Sequence, residues 1–203
     1  MGRSRKFEAL FQKLKPGAGF KTKPQRGSFL IAVGVVSNVT LGVAEITQKA
    51  RRSARAEAKK SDAGGLRQVA AVPLRVGERG SPEVLLVTSR ETQRWVIPKG
   101  WPMRGLTRQG SAAQEAFEEA GVTGKVGKKP IGSYEYFKRR AITFDLCRVE
   151  VFILAVEKQA KTWPEQHQRR ANWFQLEEAA TLVDEPGLSA VLVGLSENLA
   201  SKS

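Results

Sequence analysis

Three glutamates, Glu115, Glu118 and Glu119, lie at positions i, i+3 and i+4 of one short segment. On an α-helix this spacing places all three carboxylates on one face. Like charges at these distances repel each other, and the last turn of a helix already carries the negative end of the helix dipole. A divalent cation removes both penalties, and carboxylate oxygens suit Mg²⁺ or Mn²⁺. The spacing therefore suits a metal site, but taken alone a pattern of this kind is more often a solvated acidic helix face, so the surrounding residues decide between the two.

The flanking residues predict the helix that would carry these carboxylates. Ser111 followed three positions later by Gln114 is a capping-box pattern, and Gly121 directly after Ala120 is a common helix stop. The sequence therefore predicts a short helix from about Ala112 to Ala120.

The wider spacing resembles the Nudix box: a glycine, five free positions, Glu, seven free positions, then Arg-Glu-apolar-x-Glu-Glu-x-Gly-apolar. The positions in register are Gly100, Glu115, Ala116, Glu118, Glu119, Gly121 and Val122. Leu106 stands where the family has its first Glu, and Gln114 stands where it has Arg. In the family these two side chains are expected to pair, and replacing both by uncharged groups strands no charge. The departure leaves the three carboxylates untouched.

The resemblance implies a Mg²⁺-dependent (or Mn²⁺-dependent) hydrolase that cleaves a phosphoanhydride in a nucleoside or other diphosphate. It implies that Glu115 and Glu119 are metal ligands, and that Glu118 belongs to the same metal site and is the general base. In some family members the base lies on a distant loop instead, and Glu165 is the candidate here.

Segments on both sides of the box resemble the diphosphoinositol polyphosphate and diadenosine polyphosphate hydrolase branch of the family. These segments are residues 84–90 and 95–98 before the box, and Trp163-Pro164-Glu165, Arg169 and Trp173-Phe174 after it. The matching arginines of that branch bind phosphate, which implies this role for Arg90 and Arg169. Lys99, Gly100 and Arg139 in the cluster 138–140 are further candidate substrate contacts, because a polyphosphate needs several cations.

The elements around the box alternate in a way that predicts an α/β fold. Short β-rich runs are expected at 68–76, 83–88, 95–98, 125–137, 142–156 and 172–175, and helical spacing at 176–183 and 188–199. The run 142–156 is apolar enough to lie centrally in a sheet. Together with the resemblance, this predicts a mixed β-sheet sandwiched between helices over residues 64–203.

The composition excludes several other chemistries. His167 is the only histidine, which leaves almost no material for a histidine-rich metal site or a Ser/His/Asp triad. Cys147 is the only cysteine, so a disulfide framework is excluded and a reducing, cytoplasmic location is expected.

Residues 1–63 form a predicted basic extension, partly helical or disordered. They carry 14 Lys and Arg against 4 Asp and Glu, a net charge of +10 out of the chain's +14. The segment 7–15 has the spacing of an amphipathic helix, which leaves weak contact with an anionic surface open. The uncharged run 27–44 is too polar for a convincing membrane span, and the start of the chain lying too far upstream is another reading.

Two functions from different classes follow. The first is a pyrophosphohydrolase acting on a small polyphosphate of the dinucleoside polyphosphate or diphosphoinositol polyphosphate type. The second is a non-catalytic Nudix-like module that senses a nucleotide or associates with nucleic acid. Scattered Lys and Arg without interleaved aromatic residues are weak evidence for specific nucleic-acid binding, so no specific nucleic-acid partner is expected. The three carboxylates favour the enzyme, whereas Leu106 and Gln114 favour the module.

Overall fold

The computed structural model describes residues 65–78, 80–139 and 142–201. The predicted basic extension, residues 1–63, lies outside them, together with its segments 7–15 and 27–44. Its separation from the domain therefore stays a prediction. None of the helices formed by the described part of the chain is long and apolar enough to span a membrane.

The described residues form eight strands and three helices. The strands are β1 (Leu66–Val76), β2 (Pro82–Thr88), β3 (Trp95–Val96), β4 (Lys99–Gly100), β5 (Val122–Val126), β6 (Gly132–Arg139), β7 (Phe144–Gln159) and β8 (Ala171–Gln175). The helices are α1 (Arg108–Ala120), α2 (Leu176–Leu182) and α3 (Pro186–Ala200). The expected helices at 176–183 and 188–199 are confirmed as α2 and α3.

The strands form one mixed sheet in the order β3-β2-β1-β7-β5, with β4 paired to β1, β6 to β7 and β8 to β2. The pair β1 and β7 is parallel, and the remaining pairs are antiparallel. The prediction that residues 142–156 lie centrally is confirmed, because β7 pairs with β1, β5 and β6. Its apolar residues face helices on both sides of the sheet.

Alternate residues of the central strands point to two separate cores, as the two-residue period of a strand requires. Val69, Ala71 and Phe152 pack with Ala112 and Ala116 of α1. On the opposite face, α2 and α3 cover Ala70, Val72, Leu74, Val149, Val151 and Ile153. The predicted sheet sandwiched between helices is confirmed.

Two predicted strands are interrupted near a proline: one is shortened and the other is divided. Of the run 95–98 only β3 (Trp95–Val96) is strand, since Pro98 has no N–H to donate to a ladder; its carbonyl accepts from Ala71 N at 3.0 Å, and β4 begins after it at Lys99. The run 125–137 becomes β5 and β6, with Pro130 in the connection between them. The short strand β4 serves the site, since it places Gly100 beside α1.

The predicted start of the metal-site helix is wrong by one turn. Thr107 is the N-cap, and its Oγ1 accepts from Gly110 N at 3.1 Å. Ser111, predicted as the cap, lies inside α1: its Oγ donates to Thr107 O at 3.1 Å and accepts from Met103 N at 2.9 Å. The predicted end is confirmed, because Gly121 takes a left-handed conformation with φ 70° and its N–H bonds to Phe117 O.

Candidate active site

The first contact of the site joins β4 to α1. Strand β4 pairs with β1 through Val69 opposite Gly100 and Ala70 opposite Lys99. This pairing brings Gly100 against the side chain of Glu115, so closely that a Cβ at residue 100 would overlap the carboxylate. Residue 100 therefore has to be a glycine for Glu115 to lie where it does.

Glu119 is the most buried of the three glutamates, with 5% of its surface exposed. Its Oε2 accepts a hydrogen bond from Lys99 N at 3.2 Å, and its Oε1 accepts from Arg169 Nη2. Burial raises the pKa of the Glu119 carboxyl, and the charges of Arg169 and Lys99 act in the opposite direction. A carboxylate can stay at this depth because cationic and N–H donors meet both of its oxygens.

Arg169 connects the helix to two other parts of the chain. Its Nε donates to Glu165 Oε2 at 2.6 Å, and its Nη1 donates to Thr88 O at 2.9 Å. Only 7% of its side chain is exposed. The same end of β2 holds the neighbouring residue, because Thr88 Oγ1 accepts from Arg170 N at 3.0 Å. The guanidinium therefore links α1, β2 and the loop that precedes β8.

Glu165, the predicted alternative base, lies at the C-terminal part of α1. Its backbone N–H donates to Glu118 O at 3.0 Å. Its carboxylate accepts from Arg169, and Arg90 Nη1 lies 3.7 Å from the other oxygen. A residue 46 positions after Glu119 in the sequence thus joins the same acidic site.

Glu118 has a different partner from its two neighbours. Its Oε1 accepts a hydrogen bond of 2.8 Å from Gln114 Nε2, one turn earlier on the same helix. Gln114 is the residue that replaces the arginine of the family pattern, whereas Leu106, the other departure, is 49% exposed. The amide therefore orients a carboxylate without needing the partner that the family pattern supplies.

The four carboxylates act on one another electrostatically. The pKa of Glu115 is raised to about 7, first by burial and then by the negative charges of Glu119, Glu118 and Glu165. Such a site, with oxygen donors only and an acid that resists ionisation, fits a divalent cation. The described side chains nevertheless include no trio of His, Cys, Asp or Glu gathered closely enough to hold an ion as they stand. Glu119 is turned toward Arg169 and Glu118 toward Gln114.

The predicted substrate contacts are spread around this centre. The Lys99 backbone touches Glu119, but its ammonium lies 5.7 Å from the Tyr136 ring, and burial lowers the Lys99 pKa. The Arg90 side chain is 61% exposed. Arg139 is exposed at the end of β6, opposite Phe144 in the strand register. None of the described contacts joins Arg139 to the four carboxylates, so its role depends on the sequence alone.

Three residues lie in segments that the sequence already indicated, 84–90, 163–165 and 138–140, but the contacts they make at the site were not predicted. Thr88 binds the two consecutive arginines through its carbonyl and its hydroxyl. The Trp163 ring packs on the backbone of Gly121, at the end of α1. Lys138 Nζ lies 4.7 Å from the Trp101 ring, beside Gly100. The preference of Thr for strands and of Trp for cores gives no signal of these roles, which depend on contacts between distant parts of the chain.

The chain thus forms an α/β domain in which a mixed β-sheet has helices on both faces and a glutamate-bearing helix is set against a glycine. The chain belongs to the Nudix family, since the NUDIX domain matches residues 65–192. The resemblance inferred from residues 100–122 is thereby confirmed.

Curated relatives in this family are named as hydrolases. "Nudix hydrolase 12, mitochondrial" of Arabidopsis thaliana is 34% identical over 104 residues, which are 49% of this chain and 51% of that protein. "Diphosphoinositol polyphosphate phosphohydrolase 3-alpha" of Mus musculus is 32% identical over 120 residues, 58% of this chain and 70% of that protein. This chain thus spans about half the length of the Arabidopsis relatives that it matches.

A solved structure of similar fold is the binary complex of a C. elegans Ap4A hydrolase. It aligns with a TM-score of 0.52 and 21% identity, covering 67% of this chain and 98% of that chain. At this identity the likeness concerns the fold alone.

Proposed function

We propose that the domain is a Mg²⁺-dependent or Mn²⁺-dependent pyrophosphohydrolase that cleaves a phosphoanhydride in a small polyphosphate. The observation that carries the proposal is the group of four carboxylates around α1, one of which, Glu115, has its pKa raised to about 7 by burial and by the other three. A cation at this position supplies positive charge against the phosphoanhydride oxygens and eases deprotonation of the attacking water.

The side chains divide into three roles in this proposal. Glu115 and Glu119 hold the cation, with Gly100 leaving the space that the Glu115 carboxylate needs. Glu118 accepts the proton of the attacking water, because its second oxygen is left for this task when Gln114 holds the first. Glu165 is the alternative base, although its carboxylate is engaged by Arg169.

The substrate is a dinucleoside polyphosphate or a diphosphoinositol polyphosphate in this proposal. Arg90 and Arg169 place positive charge at the acidic centre, Lys99 reaches it through its backbone N–H, and Arg139 at the end of β6 is assigned to substrate from the sequence alone. Several cations near a hydrolytic centre suit an anion with more than two phosphates. The mouse relative is named a diphosphoinositol polyphosphate phosphohydrolase, and that name supports the second of these substrate types.

A substrate panel with product identification tests the proposal. The full chain is incubated with diadenosine tetraphosphate and with a diphosphoinositol polyphosphate, each with Mg²⁺, with Mn²⁺ and with EDTA. Turnover is expected only when the divalent cation is present. Glu118→Gln is expected to lower the rate by roughly 10²- to 10⁴-fold, the usual contribution of a general base. Glu197→Gln, on the exposed surface of α3, is the matched control and is expected to retain the wild-type rate.

Other outcomes change the assignment in defined ways. A large loss in Glu165→Gln together with an active Glu118→Gln would transfer the role of base to the loop. Binding of metal and nucleotide without turnover of any pyrophosphate would favour the non-catalytic module. Deletion of residues 1–63 is expected to leave turnover nearly intact, since the site is built from residues 88–169.

A further inference from the structure

If the proposed function holds, the Arg169 guanidinium and the divalent cation compete for the Glu119 carboxylate. Arg169 Nη2 donates to Glu119 Oε1, and Lys99 N donates to Oε2, so both oxygens of the proposed metal ligand already have partners. A guanidinium and a divalent cation repel each other strongly in a partly buried site. Each Glu119 oxygen keeps a second lone pair that can reach a metal ion, but the positive charge of Arg169 at the same carboxylate opposes the approach of a divalent cation.

Arg169 contacts two of the four carboxylates at once. Its guanidinium lies between Glu119 and Glu165 and donates to both of them and to Thr88 O. In this arrangement no three acidic side chains of the described residues form a metal-holding group. The side chain is 7% exposed, so solvent does little to weaken either ion pair.

We propose that Arg169 is an internal counter-cation, which neutralises Glu119 and Glu165 in the metal-free protein and is displaced from Glu119 when a divalent cation binds. The proposal rests on the proposed function, because it takes Glu119 as a metal ligand. It also gives the site a guanidinium that the helix lacks, since Gln114 stands at the box position where the family has arginine. Arg169 keeps its charge after displacement, which is compatible with a later contact to substrate phosphate.

Magnesium binding without substrate tests this exchange directly. Isothermal titration with Mg²⁺ alone, at pH 8 to limit proton competition, compares the full-length wild type with Arg169→Gln, Arg169→Lys and Arg170→Gln. Removing the competing charge is expected to tighten Mg²⁺ binding by about tenfold, or about 1.4 kcal/mol, in Arg169→Gln. Arg169→Lys keeps the charge but not the three-way geometry, so a smaller gain is expected.

Arg170→Gln is the matched control. The Arg170 backbone N–H holds Thr88, whereas its side chain lies only over the Trp95 ring at 5.8 Å. The substitution is therefore expected to leave the Mg²⁺ affinity unchanged. Thermal unfolding gives a second measurement. In EDTA, Arg169→Gln is expected to unfold at a lower temperature than wild type. Saturating Mg²⁺ is expected to raise the unfolding temperature of Arg169→Gln by more than it raises that of wild type.

The two failures are distinguishable. Wild type that shows no saturable binding of Mg²⁺ or Mn²⁺ contradicts the proposed function itself. Wild type that binds Mg²⁺, with Arg169→Gln binding equally or more weakly, contradicts the exchange alone and makes Arg169 a permanent support of the metal site. If Arg169→Gln does not fold even with Mg²⁺, the Mg²⁺ affinity of Arg169→Lys decides instead. An affinity equal to or weaker than that of wild type then contradicts the exchange.

Discussion

The carboxylate of Glu115 occupies the space beside Gly100 in which any other residue would have its Cβ. The atoms in the way belong to the end of a flexible side chain, and residue 100 has no left-handed conformation to maintain. A larger residue would therefore displace Glu115 without breaking the backbone of β4.

Gly100→Ala is expected to abolish most of the hydrolytic activity while leaving the protein folded. A displacement of about 1 Å at a reacting group can lower the rate on the order of 10²-fold, and Glu115 would have to move at least that far. The measurements are the Mg²⁺-dependent rate and the urea unfolding midpoint. Gly127→Ala is the control, because its nearest non-neighbouring atom is Ile153 O at 3.6 Å, an ordinary contact. Full activity in Gly100→Ala would contradict the proposed role of Glu115 as a metal ligand.

Gly121→Ala is expected to reduce stability more than activity per folded molecule. Gly121 has φ 70°, and a Cβ there would lie 2.6 Å from Trp163 Cε3. The left-handed conformation alone costs an L-residue roughly 1–2 kcal/mol, and the Trp163 ring must also shift. Urea unfolding should show a lower midpoint with an unchanged slope. Equal midpoints in Gly121→Ala and Gly127→Ala would contradict the close packing of Trp163 on the end of α1.

Local patterns predicted α1, α2, α3 and most strands because hydrophobic periodicity and glycine stops are properties of neighbouring residues. The same local reasoning assigned the cap to Ser111, whereas in the structure Thr107 is the cap and Ser111 accepts from Met103 N. It also had no means of placing Arg169 between Glu119 and Glu165. That arrangement joins residues 50 positions apart in sequence and exists only when the sheet brings the end of β2 beside α1.

Gln114→Ala is expected to lower kcat by about tenfold with little change in KM. Gln114 contacts Glu118 at 2.8 Å, so its loss frees the proposed base to rotate. A hydrogen bond to a charged group contributes on the order of 1.5–3 kcal/mol. Because the pair is partly exposed to solvent, the contribution here is expected at the lower end of that range. Gln114→Arg restores a donor and the residue of the family pattern, and it is expected to recover the wild-type kcat. Steady-state kinetics on one substrate make the comparison; an unchanged kcat in Gln114→Ala would mean that this bond does not orient the base.

Tyr134→Phe is expected to preserve or raise stability at pH 7, and to reduce the loss of stability in alkali. The Tyr134 hydroxyl is buried beneath α3 and has no hydrogen-bond partner among the described residues. Burial, and then the charge of Glu185, raise the Tyr134 pKa well above its ordinary value of 10.0. The unfolded chain therefore loses this proton first as the pH rises past about 10, which favours unfolding.

Tyr136→Phe provides the contrast. Tyr136 OH donates to Gln68 Oε1 at 2.7 Å, and Gln68 is 6% exposed, so this substitution leaves a buried amide oxygen unpaired. It is expected to cost about 1 kcal/mol or more at pH 7, opposite in sign to Tyr134→Phe. Urea unfolding of both variants at pH 7 and pH 10.5 separates the effects, because only Tyr134→Phe removes an ionisable hydroxyl without breaking a bond. Destabilisation of Tyr134→Phe at pH 7 would show that this hydroxyl has a partner after all, such as a buried water between Tyr134 and Glu185.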